Sequence, residues 1–317
     1  MGRQRIVQKI DPVSRRDSTA TAPTRPHGRR RRSAGLDESS LALALPFHTV
    51  ELAATGGMAL IYRAYDRGFR GPVAVKVLRP ELAVHARSVD TFAAEYDVLR
   101  RVHHPGIVRI FDLGYVARVP YLVMDWIDGQ TLATLVDDGP LAGHGAAAIG
   151  AQIARALAAV HEVGIVHCDV KPDNVMVAHR RDGDPLRVQL IDFGVARLPA
   201  PTKPVHLVTG TPVYMAPEQW HGTPEAASDV YALGCVLYEL LTGAPPFAGS
   251  YAEVMTAHME RAPEPIRRWR PDVPKVLEDQ VLAMLAKAPA ARPGPTSNVA
   301  RWLDELAGDL EKRAAAA

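Results

Sequence analysis

Residues 167–174 read His-Cys-Asp-Val-Lys-Pro-Asp-Asn, and 18 residues beyond Asn174 come Asp192-Phe193-Gly194. The first stretch supplies a carboxylate at Asp169, an ammonium at Lys171 and a carboxamide at Asn174. The second supplies another carboxylate, Asp192. A base, a cation and two oxygen donors for a hard divalent metal, carried on two neighbouring loops, are what moving a phosphoryl group onto a hydroxyl requires. Such a site does little covalent chemistry; placement and charge neutralisation supply the rate. His167 has no second ligand at suitable spacing and reads as a structural histidine.

Working outward toward the N-terminus, Val73-Ala74-Val75-Lys76 is an apolar strand ending in a lysine, and Ala54-Thr55-Gly56-Gly57-Met58-Ala59 is a glycine-containing turn. Taken alone, the lysine is a solvated strand end and the turn an ordinary hairpin. Tyr121-Leu122-Val123-Met124 is a further strand, followed by Asp125-Trp126-Ile127-Asp128-Gly129. Toward the C-terminus come Gly210-Thr211-Pro212-Val213-Tyr214-Met215-Ala216-Pro217-Glu218 and Ser228-Asp229-Val230-Tyr231-Ala232-Leu233-Gly234. Taken in this order, the segments resemble the eukaryotic-like Ser/Thr protein kinases, the bacterial branch above all, over roughly residues 47–307. The order is far more specific than any one motif.

The resemblance implies an α+β, two-lobed fold. A small β-rich N-lobe with one main helix would span 46–124, a hinge 125–129, and a larger helical C-lobe 130–307. Residues 1–45 would be a disordered basic tail and 308–317 a short C-terminal tail. The implied cofactors are ATP and Mg²⁺, and the implied substrate is a protein carrying a Ser or Thr hydroxyl. Asp169 would orient and deprotonate that hydroxyl, and Lys171 would neutralise the moving phosphoryl group. Asn174 and Asp192 would hold Mg²⁺. Lys76 would contact the α- and β-phosphates, paired with a helical carboxylate. Glu95 is the choice for that partner, with Glu81 as the alternative. Ala54, Gly56 and Gly57 would cover the phosphates. Ala74, Met124, Asp125 and Ile127 would surround adenine, through the backbone at Asp125 and Ile127, and Asp128 would reach the ribose. Met124 reads equally well as core packing. Thr211 would bridge Asp169 and Lys171. Glu218 would pair with Arg292, and Asp229 would hold the backbone of the catalytic loop.

Two departures from the family pattern stand out. Two of its three loop glycines are replaced by Ala54 and Ala59, which predicts a stiffer phosphate loop. Cys168 stands where Arg usually precedes the catalytic Asp. That Arg ordinarily pairs with a phosphorylated activation loop, and a thiol cannot. The expectation is activity that does not require phosphorylation of Thr202 or Thr209. The alternative reading is a nucleotide-binding pseudokinase acting as a scaffold. A small-molecule phosphotransferase is disfavoured by the peptide platform around Thr211 and Glu218.

Composition narrows the setting. The chain has 317 residues, 47% of them hydrophobic, enough for a full core. Its two cysteines, Cys168 and Cys235, make no disulfide framework and suggest reduced thiols in the cytoplasm. No apolar run approaches the ~20 residues of a membrane span. The first 40 residues carry ten Lys/Arg against four Asp/Glu, and Arg29 to Arg32 form an unbroken run. This is a solvated tail or a weak docking segment for an acidic partner; four arginines do not argue for specific nucleic-acid binding. Ser18 and Ser33, each a short way after a pair of arginines, are expected self-phosphorylation sites.

Apolar alternation predicts strands at 47–53, 60–65, 73–78, 107–113 and 121–124, then short strands at 175–177 and 188–191. Helical spacing is expected over 88–102, 146–163, 229–241, 252–260, 276–285 and 297–307, the fourth-from-last stopping at Gly243 before Pro245-Pro246.

Overall fold

Pro72–Leu78 is nearly continuous in apolar residues, and its burial on both faces makes it the centre of the N-terminal sheet. In the computed structural model, which describes residues 38–65, 68–69, 71–178, 186–196 and 210–316, this strand is β3. It pairs with β2 (Ala59–Tyr65) on one side and β5 (Val119–Asp125) on the other. β1 (His48–Thr55) and β4 (Ile110–Val116) complete an antiparallel sheet ordered β1-β2-β3-β5-β4. In β3, Lys76 lies opposite Ile61 of β2 and Leu122 of β5, so an otherwise apolar strand delivers one charge to the sheet face.

The helix expected near 88–102 is α2 (Ala86–Leu99), whose Phe92, Glu95, Val98 and Leu99 are buried. Together the four lie on one face of the helix, at spacings of three and four from Glu95, and three of them are apolar. The fourth, a buried carboxylate, requires a partner.

The larger part is helical. Its long helices are α4 (Gly143–Glu162), α6 (Ala226–Thr242), α7 (Tyr251–Glu260), α8 (Lys275–Met284) and α9 (Thr296–Ala315). α6 is apolar nearly all round and is buried at almost every position, the pattern of a central core helix. Small residues let its neighbours come close. A Cβ on Gly150 of α4 would stand 2.7 Å from Leu237 of α6, and one on Gly234 of α6 would stand 2.8 Å from Met284. Gly243 ends α6 at φ 84°, its N–H donating to Glu239 O at 2.7 Å, as a left-handed C-cap does. Ser250 opens α7 through a reciprocal cap with Glu253.

A second, three-stranded sheet carries the site. It is built from β6 (Gly129–Thr131), β7 (Val175–Ala178) and β8 (Val188–Leu190). A parallel bridge, Ile107 to Leu190, ties the two lobes: Val108 N–H donates to Leu190 O and Leu190 N–H to Gly106 O, both at 2.9 Å.

The structure differs from the expected organisation at both ends. Glu38–Ala44 form a short helix, α1, inside what reads as a tail, and Leu41 and Leu45 are buried in the core. Seven residues are too few for periodicity to register, and two leucines four apart suffice to anchor the turn. At the other end α9 does not stop at 307 but runs to Ala315, so the C-terminal tail is helical; good helix formers continue there and Leu310 lies beside Gly143. β6 and α3 (Leu132–Asp137), capped by Thr131 Oγ1, also lack a sequence signal because they are so short. α5 (Pro217–Trp220) is a single turn inside the peptide-platform motif. The expected tail residues 1–37, including Arg29 to Arg32, Ser18 and Ser33, lie outside the described residues, as do Thr202 and Thr209.

Gly129 shows how tightly the hinge meets this second sheet. A Cβ there would stand 2.2 Å from the Val177 carbonyl oxygen and 2.8 Å from Ala178 Cα, both backbone atoms that cannot rotate away. Gly129→Ala is therefore expected to cost about 1–3 kcal/mol as an overpacking change, read as a lowered midpoint in thermal or urea unfolding.

Candidate active site

The charge on β3 finds its partner on α2. Lys76 Nζ lies 2.8 and 2.7 Å from the two Glu95 oxygens and 3.1 Å from Asp192 Oδ1. Glu81, the alternative partner, sits on the surface and pairs with Arg79 at 3.2 Å instead. Burial by itself would lower the Lys76 amine, but the two carboxylates outweigh it and hold its pKa well above the ordinary value. Burial pushes Glu95 up to about 7, with Asp192 adding to the rise and Lys76 opposing it. At Asp192 burial also acts upward, yet Lys76 and the Gly194 N–H, 2.9 Å from Oδ1, prevail and keep this carboxyl below its usual range. One ammonium thus joins a strand, a helix and the loop after β8.

The second cluster forms around Asp169. Its Oδ1 accepts from both the N–H and the Oγ1 of Thr211 at 2.8 Å. Its Oδ2 accepts from Asn174 Nδ2 at 3.0 Å and lies 3.0 Å from Lys171 Nζ. Lys171 Nζ also donates to Thr211 Oγ1 at 2.7 Å, so Thr211 bridges the Asp169 carboxylate and the Lys171 ammonium. Asn174 Nδ2 donates again to Asp169 O at 2.9 Å. With both interactions on its nitrogen, the carboxamide of Asn174 keeps its oxygen as an acceptor. That oxygen and the Asp192 carboxylate form a hard, all-oxygen donor set. Among the described residues no group of three or more His, Cys, Asp or Glu could hold a metal. A pair of oxygens fits a divalent ion that takes its other ligands from phosphates and water.

The loop that presents Asp169 is held from beneath. Asp229, at the start of α6, accepts from His167 N–H at 2.8 Å and Cys168 N–H at 2.9 Å, and Gln219 Nε2 donates to Cys168 O at 2.8 Å. These bonds hold Cys168 at φ 66°, a left-handed conformation that costs a non-glycine residue of order 1–3 kcal/mol. The family's usual Arg would meet the same backbone requirement, so Cys168 changes the side chain and leaves the turn. Its thiol is buried and donates to Val166 O at 3.6 Å. His167 is fully buried, lies tilted at 52° against Phe193 with centroids 4.6 Å apart, and accepts from Asp169 N–H at 3.3 Å. Burial lowers its pKa, and it serves as packing beneath the loop.

At the phosphate loop, Gly56 N–H donates to Ala59 O at 2.9 Å, closing the β1–β2 turn. Ala54 and Ala59 both occupy paired strand positions, opposite Ile61 and Leu78, and neither has positive φ, so alanine fits without strain. Arg79, which follows β3, supplies a contact that no motif spacing announces. Its Nε donates to Gly56 O at 2.8 Å and its N–H to Met58 O at 3.0 Å, pinning the loop from outside. Beside the hinge, Ala74 and Met124 are register partners and both are buried. Asp125 N–H donates to Arg109 O at 2.9 Å, so its amide is not available to a ligand. Ile127 is half-buried and Asp128 exposed. Trp126 stacks against Arg63, whose guanidinium carbon is 5.3 Å from the ring centroid.

The peptide-platform residues meet as expected. Arg292 makes a two-pronged pair with Glu218 at 2.6 and 2.8 Å, and Arg292 also donates to three backbone carbonyls. Tyr214 OH donates to Glu239 at 2.7 Å. The residues foreseen for the two clusters are thus all brought together; Arg79 and His161, which lies 2.7 Å from Asp229, were not foreseen. Neither sits in a recognisable spacing, since each acts across a fold contact.

The protein kinase domain family matches residues 47–303. The chain is 45% identical to the serine/threonine-protein kinase PkaA of Streptomyces coelicolor over 74% of its own length and 43% of that protein's. It is 41% identical to PknB of Mycolicibacterium smegmatis, covering 76% of this chain and 40% of the relative. The chain therefore spans about two fifths of the length of these curated relatives. Among solved structures, the PknI kinase domain of Mycobacterium tuberculosis superposes with a TM-score of 0.63 at 29% identity, covering 83% of this chain and 98% of that domain. Family match, fold and site geometry agree: the chain belongs to the protein kinase domain family.

Proposed function

We propose that this chain is a Ser/Thr protein kinase that transfers the γ-phosphate of Mg-ATP to a protein hydroxyl. The observation that carries this reading is the Thr211 hydroxyl, which donates to Asp169 at 2.8 Å while Lys171 approaches the same oxygen at 2.7 Å. A base that already receives one hydroxyl, beside a cation, is placed to receive another. In this reading the Asp169 carboxylate orients the substrate hydroxyl and takes its proton, and Lys171 stabilises charge on the group in transfer. Asn174 and Asp192 would hold Mg²⁺, which when bound neutralises the phosphates. Lys76, fixed by Glu95, would meet the α- and β-phosphates beneath Gly56 and Gly57. Ala74 and Met124 would wall the adenine pocket, the backbone of Asp125 and Ile127 would bond its edge, and Asp128 would reach the ribose. With the Asp125 amide already engaged, its carbonyl is the group left for that role. The two cysteines fit a reducing, cytoplasmic setting, and no helix among the described residues is long and apolar enough to cross a membrane.

The catalytic loop is already ordered by Asp229, Gln219 and Thr211, none of which needs a phosphate, and Cys168 has no charge with which to hold one. On this basis the enzyme works without activation-loop phosphorylation. A Thr202→Ala, Thr209→Ala double variant should retain at least about half of the wild-type rate; loss of most of that rate in a folded protein would exclude this part of the reading.

The central test is incorporation of γ-phosphate from Mg-ATP into the chain itself and into a generic basic protein, with Lys76→Met alongside. Label in wild type on Ser or Thr, absent from Lys76→Met, is the expected result. Nucleotide binding without label would instead identify a pseudokinase. Arg79→Ala, which unpins the phosphate loop, should raise KM for ATP about fivefold, a ~1 kcal/mol effect for a partly exposed charged hydrogen bond, with kcat within twofold of wild type in steady-state assays.

A further inference from the structure

The carboxylate beneath the catalytic loop has one more partner, and that partner leads to the far end of the chain. His161, in the last turn of α4, brings Nε2 to 2.7 Å from Asp229 Oδ2 and Nδ1 to 3.0 Å from Thr296 Oγ1. Thr296 opens α9, and both it and Asp229 are buried. The contact belongs to a longer seam, since α9 runs antiparallel along α4. Leu310 lies by Gly143, Asp304 pairs with Arg155 at 2.9 Å, and Thr296 meets His161.

Donor and acceptor rules orient the chain of bonds. An ionised carboxylate only accepts, so the proton between His161 and Asp229 resides on Nε2. In a neutral imidazole Nδ1 is then an acceptor, and the Thr296 hydroxyl donates to it. The ring is fixed at both nitrogens, one from α9 and one from α6. Asp229 in turn accepts from the two amides that hold Cys168 in its left-handed turn, next to Asp169.

We infer that Thr296 is a positioning residue for phosphoryl transfer: through His161 and Asp229 it sets the backbone of the catalytic loop, linking the last helix to the base. The inference rests on the proposed kinase activity for its kinetic readout. It is distinct from the role of Asp229 alone, because it predicts that a residue 127 positions downstream of Asp169, touching no substrate, acts on the rate.

The test compares Thr296→Val, which keeps the shape and removes the donor, with Thr296→Ser, which keeps the donor, each in the full chain. Three quantities are measured. They are kcat and KM for ATP with the generic basic protein, the ¹⁵N shifts of the His161 ring, and hydrogen exchange at the amides of His167 and Cys168. The expected result for Thr296→Val is a kcat about tenfold lower with KM for ATP within twofold. The His161 ring signals should depart from the Nε2–H pattern, and the two amides should exchange faster. Thr296→Ser should restore all three. A Val variant with wild-type kcat and wild-type amide exchange would overturn the inference. So would a Ser variant as impaired as Val, which would mark a packing effect. If wild type itself transfers no phosphate, the activity reading falls. The positioning claim is then decided by the ring shifts and amide exchange alone: unchanged values in Thr296→Val overturn it, and altered values restored by Ser sustain it.

Discussion

Everything the site does depends on keeping like charges close together. Glu95 and Asp192 flank a single ammonium, Lys76; Glu95 and Lys76 are buried, while Asp192 keeps part of its side chain open to solvent. Two carboxylates at that range would repel strongly in a medium of low polarisability, and the lysine turns the repulsion into a three-way tie. Because the three groups come from β3, α2 and the loop after β8, the tie also fixes the mutual placement of those elements. The Phe193 N–H approaches Glu95 Oε1 at 3.4 Å as well, so the loop carrying Asp192 is held by backbone and side chain alike.

Around Asp169 the same economy is visible with hydrogen bonds. Both carboxylate oxygens are occupied by groups from within the chain: Thr211, Asn174 and Lys171. Such an arrangement leaves the Asp169 carboxylate little freedom to reorient. The support beneath it is equally complete. The strained turn at Cys168 is tolerated because two amides and a carbonyl are satisfied by Asp229 and Gln219. The thiol at this position leaves that support intact.

The parts legible in the sequence were those whose chemistry demands residue types at short spacing. The 167–174 stretch, the Asp192 loop and the lysine of β3 could be placed because each motif lies within a few residues, and apolar alternation located the five strands of the first sheet. The pairing of Lys76 with Glu95 over Glu81 followed from helical position and holds in the fold. What could not be read were contacts made only by folding. Arg79 grips Gly56 from 23 residues away, and His161 reaches Asp229 across 68 and Thr296 across 135. Nothing around an isolated histidine at the end of an alanine-rich helix distinguishes it from a solvated one. The two alanines of the phosphate loop show the converse: they depart from the motif, yet both sit on paired strand without positive φ, Ala54 just past a register shift, so alanine meets the conformational demand there.

The parallel bridge between Ile107 and Leu190 has a mechanical consequence. Here, among the described residues, main chain of the small lobe is hydrogen-bonded to a strand of the large one, through two bonds of 2.9 Å. Leu190 is the last residue of β8, and Asp192 follows two positions later. A rocking motion of one lobe on the other would pivot at the root of the segment that presents the Asp192 carboxylate. The fulcrum and the working tip of the lever are then nearly the same point, so the gap between the lobes can widen and narrow while Asp192 travels little.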